Sequence, residues 1–453
     1  MTSYNRNFKF YLIIQSLMQA ALWIVIIQLP IYVAQKDAIG GLQWDHNTKG
    51  WIFFWWVLFQ NIAAISFGYF ADKWKLKSSL ILSHSLQAIG YLLLAYSRDF
   101  YGVILAVVIL GSGTGIFKPV IQGAIANSLD ENNSSKGWGL FILVINVAVI
   151  ISTFLAGWLQ EFSWSMVFIG SAIIILLNGI FIYLIPESSN DIKIETNKFS
   201  DIFSKELFRR DVIYPVIILS GFTLIYMQFY EMLPNYIYDW VNTEKLIGLV
   251  PESWVDDMPR GKMINYLYIY LINPILVILL VYPISSYSSG KNNYRFLSIG
   301  LLFVLLGIIF SGSSQIGYLI LIGFVIYTLG EMIVRPKFQE IMSDLAPAGK
   351  KSLYMSFLQL SYAIGYLIGA RTGGIVYDNY GEKAGFAKKY LLEKYYVNIE
   401  IEKAYSKLVE ISGLTHSEIT DLLFTNYEPW RAWAFFWVVG LITFTAFIFI
   451  RKR

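Results

Sequence analysis

The sequence predicts an all-α, polytopic membrane protein with twelve transmembrane helices in two six-helix pseudo-repeats. Three observations lead there. Of the 453 residues, 56% are hydrophobic and only 15% charged, whereas a soluble domain carries about 25% charge. The apolar residues fall in blocks of about 20 or more, the length that crosses a bilayer as a helix. A polar-in-apolar motif in the first half of the chain also recurs in the second half at a constant offset.

In order, the blocks place spans at 8–34, 50–71, 78–97, 100–127, 137–160, 164–186, 211–241, 263–286, 294–312, 316–341, 351–377 and 430–450. The first is too long for a signal-peptide core and lacks a small-residue cleavage site, so it reads as a span. With the N-terminus in the cytoplasm, the inner loops collect eighteen Lys and Arg, among them Arg6, Lys73, Lys77, Arg209 and Arg210. The short outer loops hold only Lys36, Lys49, Arg98, Lys245, Arg260 and Lys262. This bias predicts both termini inside, in a multi-pass plasma or inner membrane protein.

Two segments outside the spans stand out. Residues 187–210 are polar and read as a cytoplasmic linker between an N-terminal six-helix half (1–186) and a C-terminal half (211–453). Residues 378–429 are too long for a plain loop. There Thr415 and Glu418 form a capping-box pattern, and Gly413 can end the helix before it, which predicts an outer-face helical hairpin between spans eleven and twelve.

The repeat is the most specific signal. Span four reads Gly113-Thr-Gly-Ile116-Phe-Lys118-Pro119-Val-Ile-Gln122, and span ten reads Gly330-Glu-Met-Ile333-Val-Arg335-Pro336-Lys-Phe-Gln339. Gly, Ile, a long cation, Pro and Gln all match at one offset (335 − 118 = 217), which also pairs Gly157 with Gly374. A shift of six spans preserves orientation, so the repeat is parallel. Matched cations inside two spans are not a chance pattern, because charge at that depth is costly.

Gly68-Tyr-Phe-Ala-Asp72-Lys73-Trp-Lys75-Leu-Lys77, after span two, resembles the conformational motif of the major facilitator superfamily. Gly111-Ser-Gly-Thr-Gly115-Ile-Phe-Lys118-Pro119, the span-five segment Phe141 to Ala148 with Asn146, Asn273-Pro274, and Gly330-Glu331 with Pro336 resemble segments of the proton-dependent oligopeptide transporters. The resemblance implies the major facilitator fold and alternating access. It further implies Lys118 holding a substrate carboxylate and Glu331 contacting a substrate amine. The chain departs from that family in span one, where Gln15-Ser-Leu-Met-Gln19 stands in place of its Glu-x-x-Glu-Arg. Amides do not titrate near neutral pH, so proton coupling would fall to Glu231 or Glu331.

The candidate substrate-binding residues are Lys118, Glu331, Arg335, Asn146, Gln228 and Gln60, with Glu231 and Glu331 for coupling or gating. Gly68, Asp72, Lys73 and Lys77 form the conformational motif. Plainer roles compete. Glu331 and Arg335, four apart, can neutralise each other; Arg371 can snorkel; the amides can simply join helices. For Lys118 the candidate protein partners are Glu231 and Glu331. With no cysteine, and with His46, His84 and His416 far apart, the spacing offers no metal cluster and no thiol chemistry. No nucleophile or phosphate-loop motif appears, so neither an enzyme nor a cofactor is expected. The expected partners are a small organic solute, protons where coupling operates, and the bilayer. No nucleic acid is called for, and the chain is expected to work as a monomer. An exporter or uniporter of another organic anion or amphiphile, or a receptor on the same scaffold, is the alternative.

Overall fold

The computed structural model describes residues 6–70, 75–128, 134–185, 208–288, 292–346 and 351–451. The first six helices are α1 (Arg6–Ala34), α2 (His46–Phe70), α3 (Leu76–Tyr96), α4 (Phe100–Asn127), α5 (Ser134–Phe162) and α6 (Trp164–Tyr183). After the polar segment come α7 (Arg210–Glu231), α8 (Leu233–Trp240), α9 (Tyr266–Ile269), α10 (Ile272–Ser288), α11 (Asn293–Gly312), α12 (Gly317–Leu345) and α13 (Lys351–Tyr380). Three short helices follow, α14 (Lys383–Tyr395), α15 (Ile401–Ser412) and α16 (His416–Tyr427), and then α17 (Arg431–Arg451). Among the described residues, eleven segments are long and apolar enough to cross a membrane. The 30-residue α13, packed between α2 and α7, completes the twelve.

The helices form two groups. In the first, α4 packs against α2 and α3, α3 against α6, and α1 against α5 and α6. In the second, α12 packs against α10 and α11, while α17 lies against α7 and α11. The groups meet mainly where α2 lies along α13 and where α5 meets α10. The repeat is visible in the helix starts: α3 to α11 (293 − 76) and α4 to α12 (317 − 100) are both 217 residues apart. It is visible in packing too. A Cβ on Gly113 would meet the Ser83 carbonyl, and one on Gly330 the Gly300 carbonyl, a pair of contacts related by the same offset. Pro119 and Pro336 both sit inside their helices, which a buried bundle tolerates because neighbouring groups take up the freed carbonyl.

The structure corrects several expected boundaries. α2 starts at His46, so Lys49, expected in an outer loop, lies inside a helix and is fully buried. The span at 211–241 breaks at Met232, two residues before Pro234, into α7 and α8. Residues 242–262, expected as an outer loop, and residues 263–264, expected at the start of the eighth span, carry two 3₁₀ turns and the antiparallel strands β1 (Val255–Met258) and β2 (Gly261–Ile264). Where a helical hairpin was expected, three short helices stand. The capping box forms, with the Glu418 carboxylate accepting from Thr415 N at 2.8 Å and Thr415 Oγ1 from Glu418 N at 3.3 Å. Gly413 ends α15 at φ +67°. The trio has its own small core of Ala387, Leu391, Ala404, Leu408, Ile419 and Leu423, and Phe386 and Phe424 close over Trp240. This end of the bundle, opposite the two termini, is the capped end.

Candidate functional site

Lys118 owes its place to glycine. Gly111 and Gly115 let α4 approach the α2 backbone at Trp56 and Gln60, and Gly113 lets it approach α3, so any side chain there would collide. Pinned on those faces, α4 turns Lys118 toward the space between the two helix groups. Its side chain is solvent-accessible and has no hydrogen-bond or ion-pair partner among the described residues. Arg335 holds the matching place on α12, and its charge acts on Lys118. Both cations lie eighteen residues into their helices. One turn further on, toward the ends of α4 and α12 away from the cap, Gln122 and Gln339 are also exposed.

Arg335 is not free. Its Nε is 3.3 Å from Glu331 Oε1, and its guanidinium lies 4.3 Å over the Tyr226 ring. Glu331, nearly buried, accepts from Asn273 Nδ2 at 3.0 Å. Tyr226 shares a 2.8 Å hydroxyl hydrogen bond with Tyr230 and neighbours Tyr366 at 5.9 Å, which in turn neighbours Tyr362. From the other helix group, Trp23 meets Tyr230 edge-on at 5.4 Å. Two cations, one restrained carboxylate and a tyrosine wall therefore face a common space. They can recognise an anionic group, and a zwitterion beside Glu331.

Glu231 lies elsewhere. It is fully buried and pairs across the helix groups with Lys49, Nζ to Oε1 3.2 Å. Lys49 also donates to the Glu231 carbonyl (2.6 Å) and to Asn235 Oδ1 (3.0 Å). Neither Glu231 carboxylate oxygen receives a well-aligned hydrogen bond. Further bonds cross at the same level. Asn235 donates to the Pro30 carbonyl and to Gln35 Oε1, both at 3.2 Å. Gln35 donates to Asp239 Oδ1 at 2.7 Å, and Tyr266 to Gln28 Oε1 at 2.7 Å. Asp378 accepts from the backbone N–H of His46 and of Asn47 at 2.6 Å each. Among the described residues, polar contacts between the helix groups thus cluster at the capped end. Neither acid expected beside Lys118 bonds to it, because Glu231 is engaged by Lys49 and Glu331 by Arg335 and Asn273.

The other expected site residues are spread out. Gln228 is fully buried and donates to Leu224 O and Gly369 O at 3.0 Å each, joining α7 to α13. Asn146 donates to its own helix at Ile142 O, 2.9 Å. Gln60 is half-buried beside the glycine seam. Arg371 bonds Asn47 and lies over Trp51. Lys77 donates to Tyr183 O at 3.1 Å. Gly68 lies in α2, while Asp72 and Lys73 lie outside the described residues. An apolar pocket of about 260 Å³, lined by Phe59, Ile62, Ser112 and Ile116, opens on a different face of α4 from Lys118 and holds no charged group. Sequence reasoning missed Lys49, Asn235 and the tyrosine wall. A cation one residue before an apolar block was the available signal for Lys49; the tyrosines had none, since aromatics are common throughout the spans.

The family model described as Major Facilitator Superfamily matches residues 11–370. The "Uncharacterized MFS-type transporter YttB" of Bacillus subtilis is 24% identical, with 70% of this chain and 76% of that protein covered. "Multidrug resistance protein MdtH" of Blochmanniella floridana is 23% identical (69% and 73%). The "Na(+), Li(+), K(+)/H(+) antiporter" of Planococcus maritimus is 22% identical (81% and 88%). Among solved structures, the fold resembles a POT family transporter in complex with a thioalcohol conjugated peptide, with TM-score 0.68, 17% identity and coverage of 93% and 96%. It also resembles the nucleoside transporter NupG, with TM-score 0.71, 14% identity and coverage of 99% and 100%. At these identities the structures speak for the fold alone.

Proposed function

We propose, since the chain belongs to the major facilitator superfamily, that this multi-pass membrane transporter carries a small organic solute bearing an anionic group, by alternating access. The observation behind the reading is Lys118, an accessible ammonium inside the bundle with no protein partner among the described residues, facing its repeat-related cation Arg335. An unpaired charge inside a membrane protein is costly, and a bound carboxylate or similar group would offset that cost. Glu331, held by Asn273 and Arg335, gives an amine on the same solute a place to bind, so a small zwitterion such as a peptide or amino acid fits best. The tyrosine wall, together with relatives named for multidrug resistance, supports export of an aromatic or amphiphilic anion as the second reading.

The capped end is the closed end in this conformation, and solute would enter or leave from the end that carries the termini. The Lys and Arg bias puts that end in the cytoplasm. Closure at the capped end rests on Lys49 and Glu231, whose halves must separate for the site to open there. Because the Glu231 oxygens lack aligned donors, protonation would remove the ion pair without breaking another bond. Glu231, with Glu331, is therefore our candidate for coupling to protons. Uptake or counterflow in proteoliposomes, across a panel of carboxylated, zwitterionic and neutral solutes, tests the reading. Saturable flux of an anionic or zwitterionic solute, lost in Lys118→Gln, is expected. Flux of neutral solutes alone, or unchanged affinity in Lys118→Gln, would overturn it.

A further inference from the structure

We infer that the capped end holds a divalent transition-metal site formed by His46, Asp378 and Glu382, bridging the two helix groups. One ligand atom from each of these residues lies within 4.8 Å of the others, so side-chain shifts of less than about 1 Å bring all three onto one ion at first-row metal–ligand distances of about 2 Å. His46 and Glu382 are 1% and 6% exposed. His46 Nδ1 and Glu382 Oε1 are both buried without a hydrogen-bond partner, and a buried polar atom left unpaired is costly and needs an explanation.

The local architecture holds the three in place. Asp378 and Glu382 stand four residues apart where α13 ends, with Glu382 N bonding back to Tyr377 O at 3.0 Å. Gly374 lets the first turn of α2 lie against α13, since a Cβ there would collide with the His46 carbonyl. The imidazole packs on the Tyr377 ring with centroids 4.3 Å apart, and Tyr377 is tied to Asp239 Oδ2 at 2.9 Å. Asp378 uses its oxygens on the His46 and Asn47 amides, yet each carboxylate oxygen keeps a second lone pair for a metal.

The nearby cations are engaged elsewhere: Lys49 with Glu231 and Asn235, Lys36 with the Gln43 carbonyl at 2.6 Å, and Arg371 with Asn47. Among the described residues no Lys or Arg pairs with Asp378 or Glu382. One imidazole and two carboxylates, with positions left for water, suit a borderline ion such as Zn²⁺ better than Mg²⁺, which prefers an all-oxygen shell. Because His46 belongs to one helix group and the acids to the other, an ion there clamps the capped end shut. That consequence rests on the alternating-access reading; the metal affinity does not.

The test uses the full chain in detergent or nanodiscs, with ZnCl₂ titrated by calorimetry and by thermal shift, and MgCl₂ as control. We expect saturable Zn²⁺ binding near one equivalent, a raised melting temperature, and a loss of affinity of tenfold or more in His46→Ala and in Glu382→Gln. His416→Gln should bind as wild type. Glu382→Gln, nearly isosteric, carries the test if His46→Ala does not fold. Absence of saturable Zn²⁺ binding, or unchanged affinity in the folded ligand variants, overturns the site. Zn²⁺ binding at the site without slowing of solute exchange would leave the site standing and sink only the clamp.

Discussion

The two helix groups differ in how they handle charge. Lys118 in the first group and Arg335 in the second are repeat partners, but among the described residues only Arg335 has an acid paired with it. The position matching Glu331 (331 − 217 = 114) is Thr114, whose hydroxyl donates to its own helix at Gly111 O, 2.9 Å. The positions matching Tyr362 and Tyr366 are Ile145 and Val149. Lys49, a buried cation of the first group, takes its acid from the second group. The repeat has thus preserved the scaffold, the cations, and the glycine contact of α4 with α3 (Gly113) as that of α12 with α11 (Gly330). Gly111 and Gly115 are matched by Thr328 and Met332, and the acids and tyrosines of the site sit on one side. Cations on one half and acids on the other bond across the gap only when the halves meet, so their pairing reports conformation.

The largest effect is expected at Lys49. Removing one partner of a buried ion pair costs about 3–5 kcal/mol, whereas replacing both with apolar residues of similar size is often neutral. Lys49→Met should therefore lower thermal stability strongly, and Lys49→Met with Glu231→Met should recover most of it. A double variant no more stable than Lys49→Met would mean that the pair is not coupled across the halves.

Next comes the bare cation. Lys118→Gln should weaken a carboxylated ligand at least about a hundredfold, close to 3 kcal/mol, without loss of folding or insertion. Equilibrium binding to purified protein reads it, and a variant that binds as wild type would break the contrast with Arg335.

Glu331→Gln makes the second group resemble the first by releasing Arg335 from its acid. A simple carboxylate should then bind about tenfold tighter and a zwitterion about tenfold weaker, each near 1.4 kcal/mol. If both ligands shift in the same direction, Glu331 does not sort them. The smallest effect is expected at the tyrosine wall, where Tyr226→Leu removes the ring under Arg335, a contribution of about 1 kcal/mol. A melting temperature and anion affinity both unchanged would show that this contact is incidental.

Much of the architecture was legible because it is written in local, periodic terms. Long apolar blocks must become helices in lipid, and each expected block has a described helix through its middle, although 263–264 went to β2 and the block at 211–241 broke at Met232. The Lys118 and Arg335 segments matched in sequence and stand at matched depth. The Thr415–Glu418 cap formed because a capping box is satisfied within four residues. Lys49 was misplaced because the apolar count starts after it, while the helix starts before it and buries it for a partner 182 residues away.

The sequence alone determined that the chain spans a membrane, that it repeats, and that cations recur inside two spans, because hydropathy and offset need no knowledge of neighbours. Which acid meets which cation was decided only by the tertiary structure. Glu231 went to Lys49, Glu331 to Arg335, and Lys118 stayed open. His46, 332 residues from Asp378, was brought beside it by two helices whose approach Gly50 and Gly374 permit. Charge pairing falls off with distance in space, and distance along the chain carries no record of it.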